Sequence, residues 1–355
     1  MSTLRLTSLV LLVTLAGCGK DEAPSEVAKA TPAPAPTPAP ASTPASEPEL
    51  PPDPAAIVLA DRVELERYRS DLEFIAAERS PGSPHWQLVQ DRCAAVLGEA
   101  GFTVERFAAN PGGTNVIGTR LGSAPELPAI VVGAHYDHIE DCAGADDNAS
   151  GTAALLELAR VLGPAEHGWQ RTLIMACWDE EELGLLGSKA WVDAQIAAGK
   201  RFELYVNFDA MGYADSTPRS QTLPPGVDIM FAKQLAELEA RDYRADFIAL
   251  LADERAAPSA ARALAHARRI ELPALMLAIP SAMKNEPALA DIRRSDHASF
   301  WTHDVPALFF SDTAEFRTNT YHCKGRPDTA DTVDVAFATK VVRASAGMLA
   351  ELLVK

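Results

Sequence analysis

Several stretches of this 355-residue chain place imidazole or carboxylate where an apolar run ends. "VVGAHYDH" closes on His135, Asp137 and His138, and "GADDNASG" offers Asp146 and Asp147. "ACWDEEELG" carries four successive acids, Asp179 to Glu182; "VNFDAMGY" leaves Asp209; "TNTYHCKG" adds His322. Each alone has an ordinary explanation. Asp-Asp-Asn before a helix can cap it, and acids at a helix start suit its dipole. Neither explanation covers four acids in a row, because like charges repel and a buried carboxylate is costly without a cation or donors. Imidazole and carboxylate without thiolate is the ligand set of hydrolytic zinc, and the surplus of acids suits two ions bridged by a carboxylate.

The elements between these stretches are of the kind that would gather them. Apolar spacing predicts a helix over 57–79, another over "HWQLVQDRCAAVLGEAG" closed by Gly101, and one from Ser150 to Gly163. Strands are expected at "FTVERF", "TNVIGTR", "PAIVVGAH", 172–178, "FELYVNFD", "LPALMLAIP" and "VPALFFSD". A helix is expected near 181–198, and another, from "DVAFATK" onward, closes the chain. Apolar strands alternating with helices indicate an α/β fold with a buried, largely parallel sheet, and such sheets collect ligands beyond the C-terminal ends of their strands. Residues 55–355 read as one domain; 211–295 carry no legible motif.

Net charge is −17, which argues against nucleic acid as a partner. The first eighteen residues have Arg5, an apolar stretch and then Leu15-Ala16-Gly17-Cys18, a secretory leader whose end resembles the bacterial lipobox with Cys18 as the lipidated residue. Residues 19–54 are rich in Pro, Ala and Thr and read as a disordered tether. The expectation is an exported protein held to a membrane by lipid on Cys18, at the outer membrane facing the periplasm if the host is Gram-negative.

The ordered set "GAHYDH", "GADDNASGTAALLELARVL", "DEEELGLLGS", "NFDAMGY", "SDHASFW" and "YH" resembles metallopeptidase family 28, the co-catalytic dizinc exopeptidases that include bacterial leucyl aminopeptidases. The resemblance covers about residues 57–355. It implies a three-layer α/β/α sandwich around a mixed, about eight-stranded sheet, two zinc ions, and a peptide substrate cut near a free terminus, most simply by an aminopeptidase. By the same resemblance His135, Asp147 and Asp209 hold one ion, and His322, Glu182 and Asp147 the other. Glu181 matches the general base, and Asp137 the acid that holds the His135 ring. Asp296 and His297 border the site, with Asp296 as a hydrogen-bonding partner. Asp179 and Glu180 match no role and read as exposed turn acids. His85, His138 and His303 read as polar loop or surface histidines.

Two relatives of different chemistry fit the same letters: a single-zinc glutaminyl cyclase, and an inactive binding module. Cys323 follows a metal ligand and Cys142 precedes the bridging Asp147 by five residues, so both loops must approach the same ions. A Cys142–Cys323 disulfide is one expectation; free thiols, or a pairing with Cys93, are the others. Cys177, inside an apolar strand, reads as an inert core thiol.

Overall fold

The computed structural model describes residues 51–354, apart from 110–111 and 225–229. The expected leader and nearly all of the tether lie outside the described residues. The first described helix is capped by Asp53, whose carboxylate accepts the backbone N–H of Ala55 and Ala56, with Pro54 at the first helical position. The Asp53 N–H donates to Glu351 near the far end of the chain, at 2.9 Å.

Eight strands form one mixed sheet in the order β1-β2-β4-β3-β5-β8-β6-β7. They are β1 Thr103–Ala108, β2 Thr114–Arg120, β3 Ala129–His135, β4 Leu173–Trp178, β5 Phe202–Phe208, β6 Ile248–Asp253, β7 Ala274–Ile279 and β8 Ala307–Ser311. The central strands β4, β3, β5 and β8 are mutually parallel, whereas β2 meets β4 and β6 meets β8 antiparallel. This is the α/β sandwich expected from the sequence. Strand β6, "IALLAD", is buried throughout and is the one the sequence reading missed.

Period-two alternation divides the core between the two faces. Ile130, Val132 and Ala134 of β3, with Leu173, Met175 and Cys177 of β4, pack on one face. Helices α1 (Pro54–Ala60), α2 (Leu65–Ile75), α3 (Pro84–Glu99) and α4 (Gly151–Leu162) cover this face. Val131, Ala176, Trp178 and Tyr205 point the other way, against α5 (Leu186–Ala197) and Phe300 and Trp301.

The helix expected over 57–79 is two helices. Buried Glu157 takes the Glu64 N–H at 2.7 Å and the Arg67 guanidinium, which turns the chain between α1 and α2. The helix expected near 181 starts at Leu186, because residues 180–185 coil through positive φ at Glu180, Gly184 and Leu185.

On the second face Gly133 leaves room for a polar thread through the core. The Trp178 Nε1–H donates to Tyr205 Oη at 2.9 Å, Tyr205 donates to Asn207 Oδ1 at 2.6 Å, and Asn207 Nδ2 donates to Ser295 Oγ at 2.7 Å. A Cβ at position 133 would lie 2.3 Å from Trp178 Nε1 and 2.7 Å from Tyr205 Oη. Gly133→Ala is therefore expected to destabilise the fold by roughly 1–3 kcal/mol through overpacking. Urea melts of the purified domain test this, and an unchanged midpoint would refute it.

Candidate metal centre

Because β3, β4, β5 and β8 are parallel, their C-terminal ends share one edge of the sheet, and the acids and imidazoles gather there. His135 is the last residue of β3, Asp209 follows β5, and the four-acid run follows β4. Asp147 enters from the turn ahead of α4, and His322 from a short turn at 321–323.

Two triads share Asp147. His135 Nε2 lies 3.4 Å from Asp147 Oδ1 and 3.5 Å from Asp209 Oδ1. His322 Nε2 lies 3.2 Å from Asp147 Oδ2 and 3.2 Å from Glu182 Oε2. Each oxygen of one carboxylate thus faces a different imidazole. With metal–ligand bonds of about 2.0–2.2 Å, ligand atoms at the corners of a tetrahedron stand about 3.3–3.6 Å apart, so the spacings fit an ion in each triad. The buried His135 Nε2 makes no hydrogen bond among the described residues, as an atom pointed at an ion would not. The donor set is nitrogen and oxygen without thiolate, which fits zinc.

The electrostatics show how much negative charge the edge carries. Burial opposes charging His135, yet Glu181 and Asp209 raise its pKa well above the usual imidazole range. His322 likewise rises to about 9, against burial, through its bonds to Asp147 and Glu182. Glu182 falls to about 2: burial and Asp147 push it up, but the His138 and His322 bonds win. Glu181, which accepts no such pair of imidazoles, is pushed well above the carboxylate range by burial and by Asp209 and Asp296. Two adjacent glutamates therefore have opposite proton affinities, set by their surroundings.

The supporting groups are as ordered as the triads. Asp137 Oδ1 sits 3.5 Å from His135 Nδ1, and the two Asp137 oxygens accept the N–H groups of Glu181 and Glu182 at 3.2 Å each. One carboxylate thus orients the imidazole and both glutamates. Asp328 does the same for the neighbouring turn, accepting the N–H groups of Asp146 and Asp147 at 3.0 and 3.1 Å. Fully buried Arg79 donates to the carbonyls of Tyr136 and Gly144 at 2.6 and 2.7 Å and to that of Ala143. It ties together the two ends of the loop that runs from β3 to the Asp147 turn. Cys142 and Cys323 are joined in a disulfide, and His322 and Cys323 both hold positive φ (53° and 52°) beside it. Cys93 and Cys177 are free and buried.

Three sequence expectations need correction. Asp179 is not an exposed turn acid: it is fully buried, accepting Trp86 Nε1–H at 2.8 Å and the Thr114 N–H at 2.7 Å, and it pins the start of the acid run to α3 and β2. Glu180 is buried as well. His138, in the loop after β3, is not a surface histidine: it is fully buried with Nδ1 2.7 Å from Glu182 Oε1, and its ring can reach an ion shared with Asp147 and Glu182. By contrast His85 contacts the Phe74 carbonyl and His303 contacts Asp193, both outside the centre. Asp146 turns away from the triads to accept the Gly212 N–H at 2.8 Å. Asp296 is fully buried, its oxygens without a hydrogen-bond partner among the described residues, and burial lifts it to about 7. Asp328 and Arg79 were missed by the sequence reading, because the groups they bond lie far from them in the chain.

A cavity of about 180 Å³ opens beside Asp209 and Tyr321. It is lined from α6 (Ala232–Glu239) and the strands β6, β7 and β8, largely by apolar side chains such as Leu235, Leu251, Leu277 and Phe309. Its walls come partly from 211–295, the stretch without a legible motif, and partly from 309–321.

Residues 115–349, more than half of the chain, match peptidase family M28. The chain is 31% identical to the uncharacterized protein YfbL of Escherichia coli over 61% of this chain and 64% of that protein. It is 34% identical to leupeptin-inactivating enzyme 1 of Streptomyces exfoliatus over 45% of this chain and 38% of that one. The match thus spans less than two thirds of either relative. The Legionella pneumophila LapA aminopeptidase has a similar fold, with a TM-score of 0.65 at 17% identity, covering 85% of this chain and 75% of LapA.

If Asp328 holds the Asp147 turn, Asp328→Ala should weaken zinc binding about 10–100-fold while the domain stays folded. Competition with a chromophoric chelator measures it; zinc bound as tightly as by the parent would refute the role.

Proposed function

The chain belongs to peptidase family M28, and from that premise we propose that it is a dizinc exopeptidase, acting as an aminopeptidase on peptides outside the cytoplasm. The observation that carries the reading is Asp147, each of whose oxygens faces a different imidazole–carboxylate pair, an arrangement suited to bridging two ions. In this reading His135, Asp147 and Asp209 hold one zinc, and His322, Glu182 and Asp147 the other. Zinc bound there would supply Lewis acidity, lowering the pKa of a water and polarising the scissile carbonyl.

The remaining work falls to residues of the chain. Glu181 shares its edge with Glu182 but is not drawn into the second triad, and its high proton affinity suits a base that takes a proton from water and passes it to the leaving amine. Asp137 keeps His135 Nδ1 engaged, so that Nε2 faces the centre, and fixes the backbone from which Glu181 projects. The apolar cavity beside Asp209 accepts the side chain of the terminal residue and excludes water around it. A single-zinc cyclase would leave the second triad without a task, and an inactive binding module would not need Glu181 so placed.

Residues 1–50 lie outside the described region, and the leader reading rests on their letters alone. Arg5, the apolar stretch and the lipobox support export and lipid attachment at Cys18, with residues 19–54 as the tether. Among the described residues no helix is long and apolar enough to cross a membrane.

Glu181→Gln is expected to bind two zinc ions per chain, by atomic emission, while hydrolysing free-amine peptides about 10²–10⁴-fold more slowly. N-terminally blocked peptides should resist the parent enzyme, and glutaminyl peptides should be hydrolysed without cyclisation. Near-parental turnover by the zinc-loaded variant would remove Glu181 as base; cleavage of blocked peptides would remove the aminopeptidase assignment. Cys18→Ala should move the expressed protein from the membrane to the soluble fraction, and persistence in the membrane would contradict lipid anchoring there.

A further inference from the structure

Glu182 stands between two imidazoles. His138, in the loop after β3, is fully buried, and its Nδ1 lies 2.7 Å from Glu182 Oε1. His322 Nε2 lies 3.2 Å from the other oxygen of the same carboxylate. The two rings meet edge to face, with centroids 5.8 Å apart and planes at 65°. Ligand atoms of His138, Asp147 and Glu182 all lie within 4.8 Å of one another, so the His138 ring reaches the bridging carboxylate as well as Glu182. Its Nε2 is buried and makes no hydrogen bond among the described residues. The ring is held from behind. The His138 N–H donates to the Arg79 carbonyl at 3.3 Å, and the ring passes close to Gly144, where a Cβ would lie 2.4 Å from His138 Cδ2.

We propose that His138 is a protein ligand of the second ion, beside His322, Glu182 and Asp147. The inference rests on the dizinc reading and deepens it. The two sites then differ: the second has four protein ligands, and the first has three and keeps a position open. Four protein ligands is the number found where zinc is held for structure, and three with an open position the number where it serves catalysis. The second ion is accordingly the more firmly held. Two imidazoles on one tetrahedral ion, with Zn–N bonds of about 2.0–2.1 Å, have ring centres roughly 5–6 Å apart. The separation of His138 and His322 fits that arrangement. The other role open to His138 is a hydrogen bond that orients Glu182. Such a bond needs contact with Glu182 alone and does not account for the reach to Asp147. It also leaves the ring poorly compensated, because a buried nitrogen without a partner costs more than one hydrogen bond returns.

The test measures the two successive zinc affinities of the full chain by competition with chromophoric chelators, with atomic emission counting the bound ions. The parent should bind two ions with unequal affinity. His138→Ala and His138→Gln should both weaken the tighter one by more than about 100-fold, beyond the 10–100-fold that loss of a supporting partner brings. Glutamine fills most of the space and keeps an N–H that can reach Glu182, so it would restore a role in hydrogen bonding alone. It also keeps the core filled, so its affinities are read on folded protein even where His138→Ala is loosened. Cobalt in place of zinc gives a second readout. Exchange of an imidazole for water should weaken the visible absorption of one ion, whereas loss of a hydrogen bond should leave it unchanged. A loss of 100-fold or less in both variants, affinity regained in His138→Gln, or an unaltered cobalt spectrum would overturn the ligand role and leave the dizinc reading standing. A parent chain that binds fewer than two ions would overturn both.

Discussion

The structure turns on a concentration of buried negative charge at one edge of a sheet. Asp137, Asp147, Glu181, Glu182, Asp209 and Asp296 crowd the ends of the parallel strands, where mutual repulsion and loss of water both oppose ionisation. Three imidazoles and a set of backbone N–H groups meet part of that charge. The raised affinity of His135 and His322 for protons measures what is left over: the site draws positive charge strongly enough to overcome the burial of the rings. Divalent ions between the triads would answer that field without protonating the ligands.

Charge of this density has to be held in place, and most of the supporting bonds come from outside the triads. Asp137 and Asp328 each spend a carboxylate on two consecutive backbone N–H groups, converting turns into rigid mounts for Glu181, Glu182 and Asp147. Arg79 brings its charge beneath the centre while bonding to carbonyls, so it steadies the loops without occupying a ligand. The Cys142–Cys323 link joins the segment before Asp147 to the one bearing His322. Two of the three segments that carry the second triad are therefore covalently linked.

Around the centre the surroundings divide by polarity. The cavity beside Asp209 is lined by strand and helix side chains that offer dispersion and desolvation, with the charged Arg294, Glu315 and Asp291 among its walls. The cavity and the two triads lie next to the same edge, where the strands end.

What could be read from the letters was local. Period-two burial, the helix starts and the meeting of imidazole with carboxylate at strand exits depend on neighbours a few residues away, and these placed His135, Asp137 and Asp209 on the correct edge. Likeness of motif, rather than periodicity, singled out Asp147, Glu181, Glu182 and His322 from the acids and histidines beside them. The partners that hold those groups were illegible because they are remote: Asp328 reaches Asp147 across 181 positions, and Trp86 reaches Asp179 across 93. The same distance hid the burial of Asp179 and His138, since a polar residue after a strand looks solvated until its donors are folded onto it. Strand β6 and the cavity it helps to form lay in a stretch whose apolar run had no neighbouring signal to define it. By itself the sequence determined the chemical types available and the edge they would share, because both follow from short-range geometry. Only the tertiary structure decided which acids face one another, which are held by donors and which line a pocket, because those outcomes depend on burial and on contacts between segments far apart in the chain.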